Sequence, residues 1–322
     1  MGGPGDRDDD ATPPRRSREE SPTAGAGSGL DAPALPPRGA GTRRVIVDSH
    51  CHAWRRWPYE PPVPDPESRG RVEQLLWEMD RCGVDRAVLV CARIDHNPEN
   101  NDYGHACVRV HGARLDQFAD VDCFWWPTYQ APGAAHRLES AIARYSLKGF
   151  THYIRAEDDG AWYLGPEARS FFSVARAHRQ IVSLALPAHL QPMLRRLASD
   201  FPELTFLCHH MGSARVGQPD TIAAVLGSAA IPNIWLKISG FHYASERAWG
   251  FPYPDCLALL RSIVDAYGPD RLCWGSDYPV VRRSMTYRQS LEAFREGARH
   301  LSEEDRSKIL GGTLAGLLAR SG

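Results

Sequence analysis

A chain of 322 residues with 43% apolar side chains, nine Trp, eleven Tyr and ten Phe can bury a large core, which excludes wholesale disorder. Its 38 Lys+Arg against 39 Asp+Glu leave a formal charge of −1, so no basic field points to nucleic acid or to an anionic membrane. No apolar stretch approaches the about 18 residues of a spanning helix and none near the start suits a signal peptide, so the chain reads as soluble and cytoplasmic.

Residues 1 to 42 are rich in Gly and Pro and contain no aromatic residue, Val or Ile. Such a segment cannot offset its ordering entropy by burial and reads as a disordered leader. Its Arg15-Arg16 pair is followed by no apolar stretch, which argues against twin-arginine export. From residue 43 to residue 322 a single domain is expected, with short β-branched runs alternating with amphipathic segments. Strands are expected at Val45–Val47, Arg86–Val90, Val121–Trp125, Leu147–Phe150, Ile181–Ala185, Leu204–Cys208, Ile234–Ile238 and Arg271–Trp274. Helical spacing appears between them, as in Val72, Leu75, Leu76 and Met79, or Leu190, Met193, Leu194 and Leu197. Nearly all-apolar strands alternating with helices call for a parallel sheet covered on both faces. Eight such units match a (β/α)8 TIM barrel, which takes about 250 residues. A doubly wound open sheet is the alternative, but no GxGxxG loop follows an early strand. The eight cysteines form no CxxC pair and read as packed, reduced thiols.

In a TIM barrel the reactive groups stand at the carboxyl ends of the strands. The first strand runs into Asp48-Ser49-His50-Cys51-His52, where alternation puts His50 and His52 on one face. Two converging imidazoles suit a borderline-soft divalent cation. The sixth ends in Cys208-His209-His210-Met211-Gly212. Adjacent strand residues face opposite ways, so one histidine of this pair is expected as a ligand and the other as packing unless the chain has already turned. After the eighth come Gly275-Ser276-Asp277, with Asp277 either a turn residue or a general base and ligand.

Taken together, Asp48-x-His50-x-His52, the Cys-His-His210-Met-Gly212 run, Cys-Trp-Gly-Ser-Asp277-Tyr-Pro279 and the ending Ile309 to Leu317 resemble the amidohydrolase superfamily. The likeness is to its amidohydrolase-2 branch of metal-dependent TIM-barrel hydrolases, and it covers residues 44 to 320. It implies His50, His52, His210 and Asp277 as ligands of one divalent metal ion, zinc first and manganese second, with Asp277 and His210 catalytic. The branch includes lactonases, some of them metal-independent, and decarboxylases. The histidine that metal-dependent members carry at the end of strand five is replaced here by the apolar Ile181–Pro187, with His189 and His152 as candidate substitutes. Binuclear relatives suggest Lys148 as a carboxylated ligand; the residue alone reads equally as an ion-pair partner.

For substrate contact the sequence offers Arg155, His152, Tyr243 and Lys237, with His242 beside them and Trp125, Trp126 and Tyr278 as aromatic walls. The leading expectation is a hydrolase opening an amide, ester or lactone bond of a small carboxylate-bearing molecule. Decarboxylation is the second reading, and a non-catalytic binding scaffold the third. A small molecule is the expected partner, and a homodimer is left open.

Overall fold

Among the described residues eight parallel strands hydrogen-bond in strict chain order, β1 to β8, alternating with helices. The computed structural model describes residues 44–59, 63–94 and 96–322; the expected leader lies outside them. The strands are β1 Val47–Cys51, β2 Arg86–Val90, β3 Leu115–Asp120, β4 Gly149–Tyr153, β5 Ile181–Ala185, β6 Thr205–Cys208, β7 Ile234–Ile238 and β8 Leu272–Trp274. The helices are α1 Val72–Cys82, α2 Asn100–His111, α3 Ala134–Tyr145, α4 Pro166–Ala177, α5 Gln191–Asp200, α6 Pro219–Ser228, α7 Phe241–Ala244, α8 Cys256–Tyr267, α9 Tyr287–Gly297, α10 Glu303–Ser307 and α11 Thr313–Arg320. This is the (β/α)8 barrel. No helix among the described residues is long and apolar enough to cross a membrane.

Two apolar clusters hold the layers together. The outer one joins the strands' outward side chains to the helices, for example Leu89, Ala119, Phe150 and Leu236 against Leu75, Leu138, Phe171 and Leu260. The inner one takes Val47, Val88, Val90, Phe118, Ile181, Leu207 and Cys273 from six strands, and α11 adds Leu314, Leu317 and Leu318 to it. Strand residues from so many directions can meet only inside the barrel, so α11 caps the end opposite the strands' carboxyl ends.

The third strand differs from expectation. It is Leu115–Asp120, and the apolar Val121–Trp125 forms the loop above it. Hydropathy misses β3 because its polar side chains are satisfied by partners distant in sequence. Asp116 pairs with Arg86 at 2.6 Å and with Lys148 at 2.9 Å, and Gln117 donates to the Asn101 carbonyl at 2.7 Å. That ion pair lies at the amino ends of β2 and β4, which removes Lys148 from any role as a ligand.

The barrel is sealed between β8 and β1 by a parallel bridge from Cys51 to Tyr278, the His52 N–H donating to the Tyr278 carbonyl at 2.6 Å and the Asp277 N–H to the His50 carbonyl at 2.7 Å. Here the backbones approach too closely for a side chain at Gly275, where a Cβ would stand 2.8 Å from His50 Cβ and 3.0 Å from His50 N. Gly275→Ala is therefore expected to destabilise the fold by about 2 kcal/mol in urea unfolding; wild-type stability would show that the seam yields freely.

Candidate functional site

β1 carries a bulge between Asp48 and Cys51: the four residues from Asp48 to Cys51 lie opposite the three from Ala87 to Leu89 on β2. Val47 already faces the interior, so unbroken alternation would turn His50 and His52 outward with Asp48. The extra residue reverses the phase, and both imidazoles enter the barrel. Asp48 stays outside, buried under α9. Its carboxylate accepts from Ser276 N–H at 2.9 Å, His50 N–H at 3.0 Å and Tyr287 O–H at 3.1 Å. Burial raises its pKa to about 6 against those hydrogen bonds.

β6 ends in a turn rather than an extended run. His210 and Met211 have φ of 48° and 52°, a left-handed conformation that non-glycine residues adopt at a cost and that recurs at functional sites. His209, still extended, faces inward like Leu207, and the turn brings His210 to the centre beside it. Their rings lie 4.4 and 4.7 Å from that of His50, and His52 lies 4.9 Å from it. The chain has turned by His210, the condition under which both histidines of the pair can face the centre.

Asp277, φ 60°, turns its carboxylate into this ring of imidazoles. Oδ1 lies 3.4 Å from both His50 Nε2 and His52 Nε2, and Oδ2 accepts from the Tyr243 hydroxyl at 3.0 Å. Burial would raise its pKa, but His210, His50 and His52 outweigh that and hold the carboxyl well below the usual range. Burial in turn pushes His50 well below its ordinary value, and His210 down to about 4.

Hydrogen bonds to neighbouring strands orient the rings. The His52 Nδ1–H donates to the Val90 carbonyl at 2.6 Å, and the ring stacks on Trp54 at 4.9 Å. His210 Nδ1 meets Ser239 Oγ at 3.1 Å. Lys237, fully buried, reaches up from β7 to within 3.1 Å of His50 Nδ1 and donates to Ser183 Oγ at 2.7 Å. Burial brings its ammonium down to about 7, where a neutral amine is accessible. Ser183 Oγ also lies 2.7 Å from His209 Nε2.

The donor set fits a metal ion. His50 Nε2 is buried with no hydrogen-bond partner, and its 3.4 Å separation from Asp277 Oδ1 matches two donors each about 2.1 Å from one tetrahedral ion. Donor atoms of His50, His52 and Asp277 lie within 4.8 Å of one another, as do those of His50, His209 and His210. Beside His52 a cavity of about 530 Å³ opens under Trp125, Trp126, Phe124, Tyr59 and Tyr153, with Arg93 its cation. The Arg93 guanidinium stands 4.1 Å over Trp126 and 3.6 Å from the buried Asp120.

Of the expected substrate contacts, Tyr243 stands at the mouth through Asp277. Lys237 lies beneath His50, away from the cavity. Arg155 is exposed and stacks on Tyr129 at 5.5 Å, outside the cavity lining. His152 faces the helices because β4 turns Gly149, Thr151 and Tyr153 inward. Both its ring nitrogens are engaged, Nδ1 with the Val121 carbonyl at 2.9 Å and Nε2 with the Tyr163 hydroxyl at 2.8 Å. His189 is exposed, Nε2 on the Asp158 carbonyl at 3.0 Å. Tyr278 packs on Tyr287 at 5.6 Å rather than lining a wall. Tyr153 and Ser183 were within reach of a parity argument, and Arg93 follows the end of β2, where barrel sites are built.

The amidohydrolase family profile matches residues 47–318. The L-fucono-1,5-lactonase of Burkholderia ambifaria is 27% identical over 250 residues, which is 73% of this chain and 81% of that protein. Among solved structures, an amidohydrolase from Burkholderia multivorans with bound zinc superposes with a TM-score of 0.71 at 21% identity, covering 85% of this chain and 99% of that one. The 2,6-dihydroxybenzoate decarboxylase from Rhizobium gives 0.64 at 16% identity over 86% and 99%. These two are likenesses of fold.

Since His152 belongs to the helix layer, His152→Ala is expected to cost about 2 kcal/mol in urea unfolding by stranding the Val121 carbonyl, with the Michaelis constant unchanged. A tenfold rise in that constant at wild-type stability would return His152 to the pocket.

Proposed function

The chain belongs to the amidohydrolase family, and from that premise we propose that it hydrolyses the ring ester of a small carboxylate-bearing lactone, or a related ester or amide. Zinc held by His50, His52, His210 and Asp277 is its proposed cofactor, manganese the substitute. The observation that carries the reading is the approach of Asp277 Oδ1 to both His50 Nε2 and His52 Nε2 at 3.4 Å. The 27% identity to a lactonase across most of both chains supports a lactone as substrate.

A divalent cation in this set supplies Lewis acidity toward a carbonyl oxygen and toward water. The chain's own groups do the rest. Asp277 stays ionised because the surrounding imidazoles favour its charge, so it is ready to take the proton of the attacking water. Tyr243 donates to Oδ2 and so fixes the orientation of the carboxylate. As the water oxygen bonds to the carbonyl carbon and the ring C–O bond breaks, Asp277 returns the proton to the departing oxygen, which becomes a hydroxyl. The aromatic walls exclude bulk water, and Arg93 offers a guanidinium to a substrate carboxylate. The same ring of groups suits decarboxylation; acid release without carbon dioxide separates the two readings on a panel of lactones and aromatic acids.

Asp277→Asn is expected to lower turnover by about 10²- to 10⁴-fold with the Michaelis constant changed far less; more than about a tenth of wild-type turnover would refute Asp277 as the base. Arg93→Ala is expected to raise the Michaelis constant at least about tenfold while Arg155→Ala leaves it unchanged. The opposite ranking would move carboxylate recognition to Arg155.

A further inference from the structure

Five histidines of the barrel differ in how their ring nitrogens are used. His52 and His210 each spend Nδ1, on the Val90 carbonyl and on Ser239 Oγ, and keep Nε2. His50 spends Nδ1 on Lys237, and its Nε2 is buried without a hydrogen bond. His209 shows the reverse order: Nε2 lies 2.7 Å from Ser183 Oγ, and Nδ1 is buried with no partner. His152 spends both. A metal-ligating histidine ties one ring nitrogen to an outer-shell acceptor and offers the other to the ion, whereas a structural one satisfies both. By that criterion His209 belongs with the first three and His152 does not.

Position supports the same grouping. One ring nitrogen each from His50, His209 and His210 lies within 4.8 Å of the other two. His209 is only 2% exposed, and a buried polar nitrogen without a partner is costly unless something meets it. β5 turns only small side chains toward the site, Ser183 and Ala185, so no donor from that strand competes for the space beside β6.

Resting on the metal reading above, we propose that His209 is itself a ligand, binding the cation through Nδ1 alongside His50 and His210. β6 then supplies from two adjacent residues what β5 does not supply. Ser183 is the positioning residue: its hydroxyl accepts the His209 Nε2–H and so frees the Nδ1 lone pair. An imidazole-rich donor set of this kind selects zinc and its softer neighbours over magnesium, calcium and manganese.

The test is zinc affinity rather than turnover. Metal-free full-length protein is titrated with zinc against a chromophoric chelator, and thermal unfolding is followed with and without the ion. His209→Asn is expected to bind zinc at least about 100-fold more weakly than wild type and to lose most of the zinc-induced rise in unfolding temperature. Equal affinity in the two proteins overturns the assignment and leaves the metal reading intact. A wild type that takes up no zinc overturns the metal reading itself. Where His209→Asn does not fold, Ser183→Ala decides: it keeps the ring but removes its acceptor, and an affinity about tenfold weaker is expected, while wild-type affinity overturns the proposal.

Discussion

Four imidazoles, a carboxylate and an amine are gathered at the mouth of an apolar barrel, and every one of them must find a partner there. Buried polar groups left alone would cost more than the fold can spare. The solution is layered. Lys237 and Ser183, from β7 and β5, hold His50 and His209 from below. Val90 and Ser239 hold His52 and His210 from the sides. Asp277 closes the ring from β8 with its charge facing the imidazoles. His50 Nε2 and His209 Nδ1 stay without a hydrogen bond, as does Nδ1 of His242, whose Nε2 stands 3.8 Å from Asp277 Oδ2, and there the protein alone does not complete the network.

The backbone bends to allow it. A bulge in β1 reverses the phase of His50 and His52, a left-handed turn after β6 brings His210 in beside His209, and Asp277 adopts positive φ at the β8 seam. Each departure costs local energy, and each is held by neighbours that leave no alternative, such as the contact that excludes a side chain at Gly275. The inner apolar cluster, capped by α11, gives these strained segments a rigid base. The loops above the same strands supply the aromatic walls and Arg93. The ring of imidazoles and the aromatic cavity therefore rest on one scaffold but come from different parts of it.

Much of this was legible in the residues. Strand and helix alternation announces a parallel barrel, and β2, β5 and β7 fall at their expected bounds because each is a near-continuous apolar run. β3 was not legible: Asp116 and Gln117 look like loop residues until Arg86, Lys148 and Asn101 arrive from elsewhere in the chain. His50, His52 and Asp277 were recognisable as a converging set from their places at strand ends. For the His209-His210 pair strand parity holds through His209, inward like Leu207, and fails at His210, whose left-handed φ no local pattern announces. His152 and Arg155 were chosen by chemical type, and neither faces the cavity.

By itself, then, the sequence determined the barrel class and which strand ends carry reactive side chains, because hydrophobic periodicity and residue order are local properties written along the chain. Tertiary structure alone decided the phase of β1, the turn that unites His209 with His210, the burial of Lys237 under His50, and the choice of Arg93 over Arg155 beside the cavity. Each of those depends on a contact between residues far apart in sequence, where one extra residue in a strand or one left-handed φ reverses the face that a side chain presents.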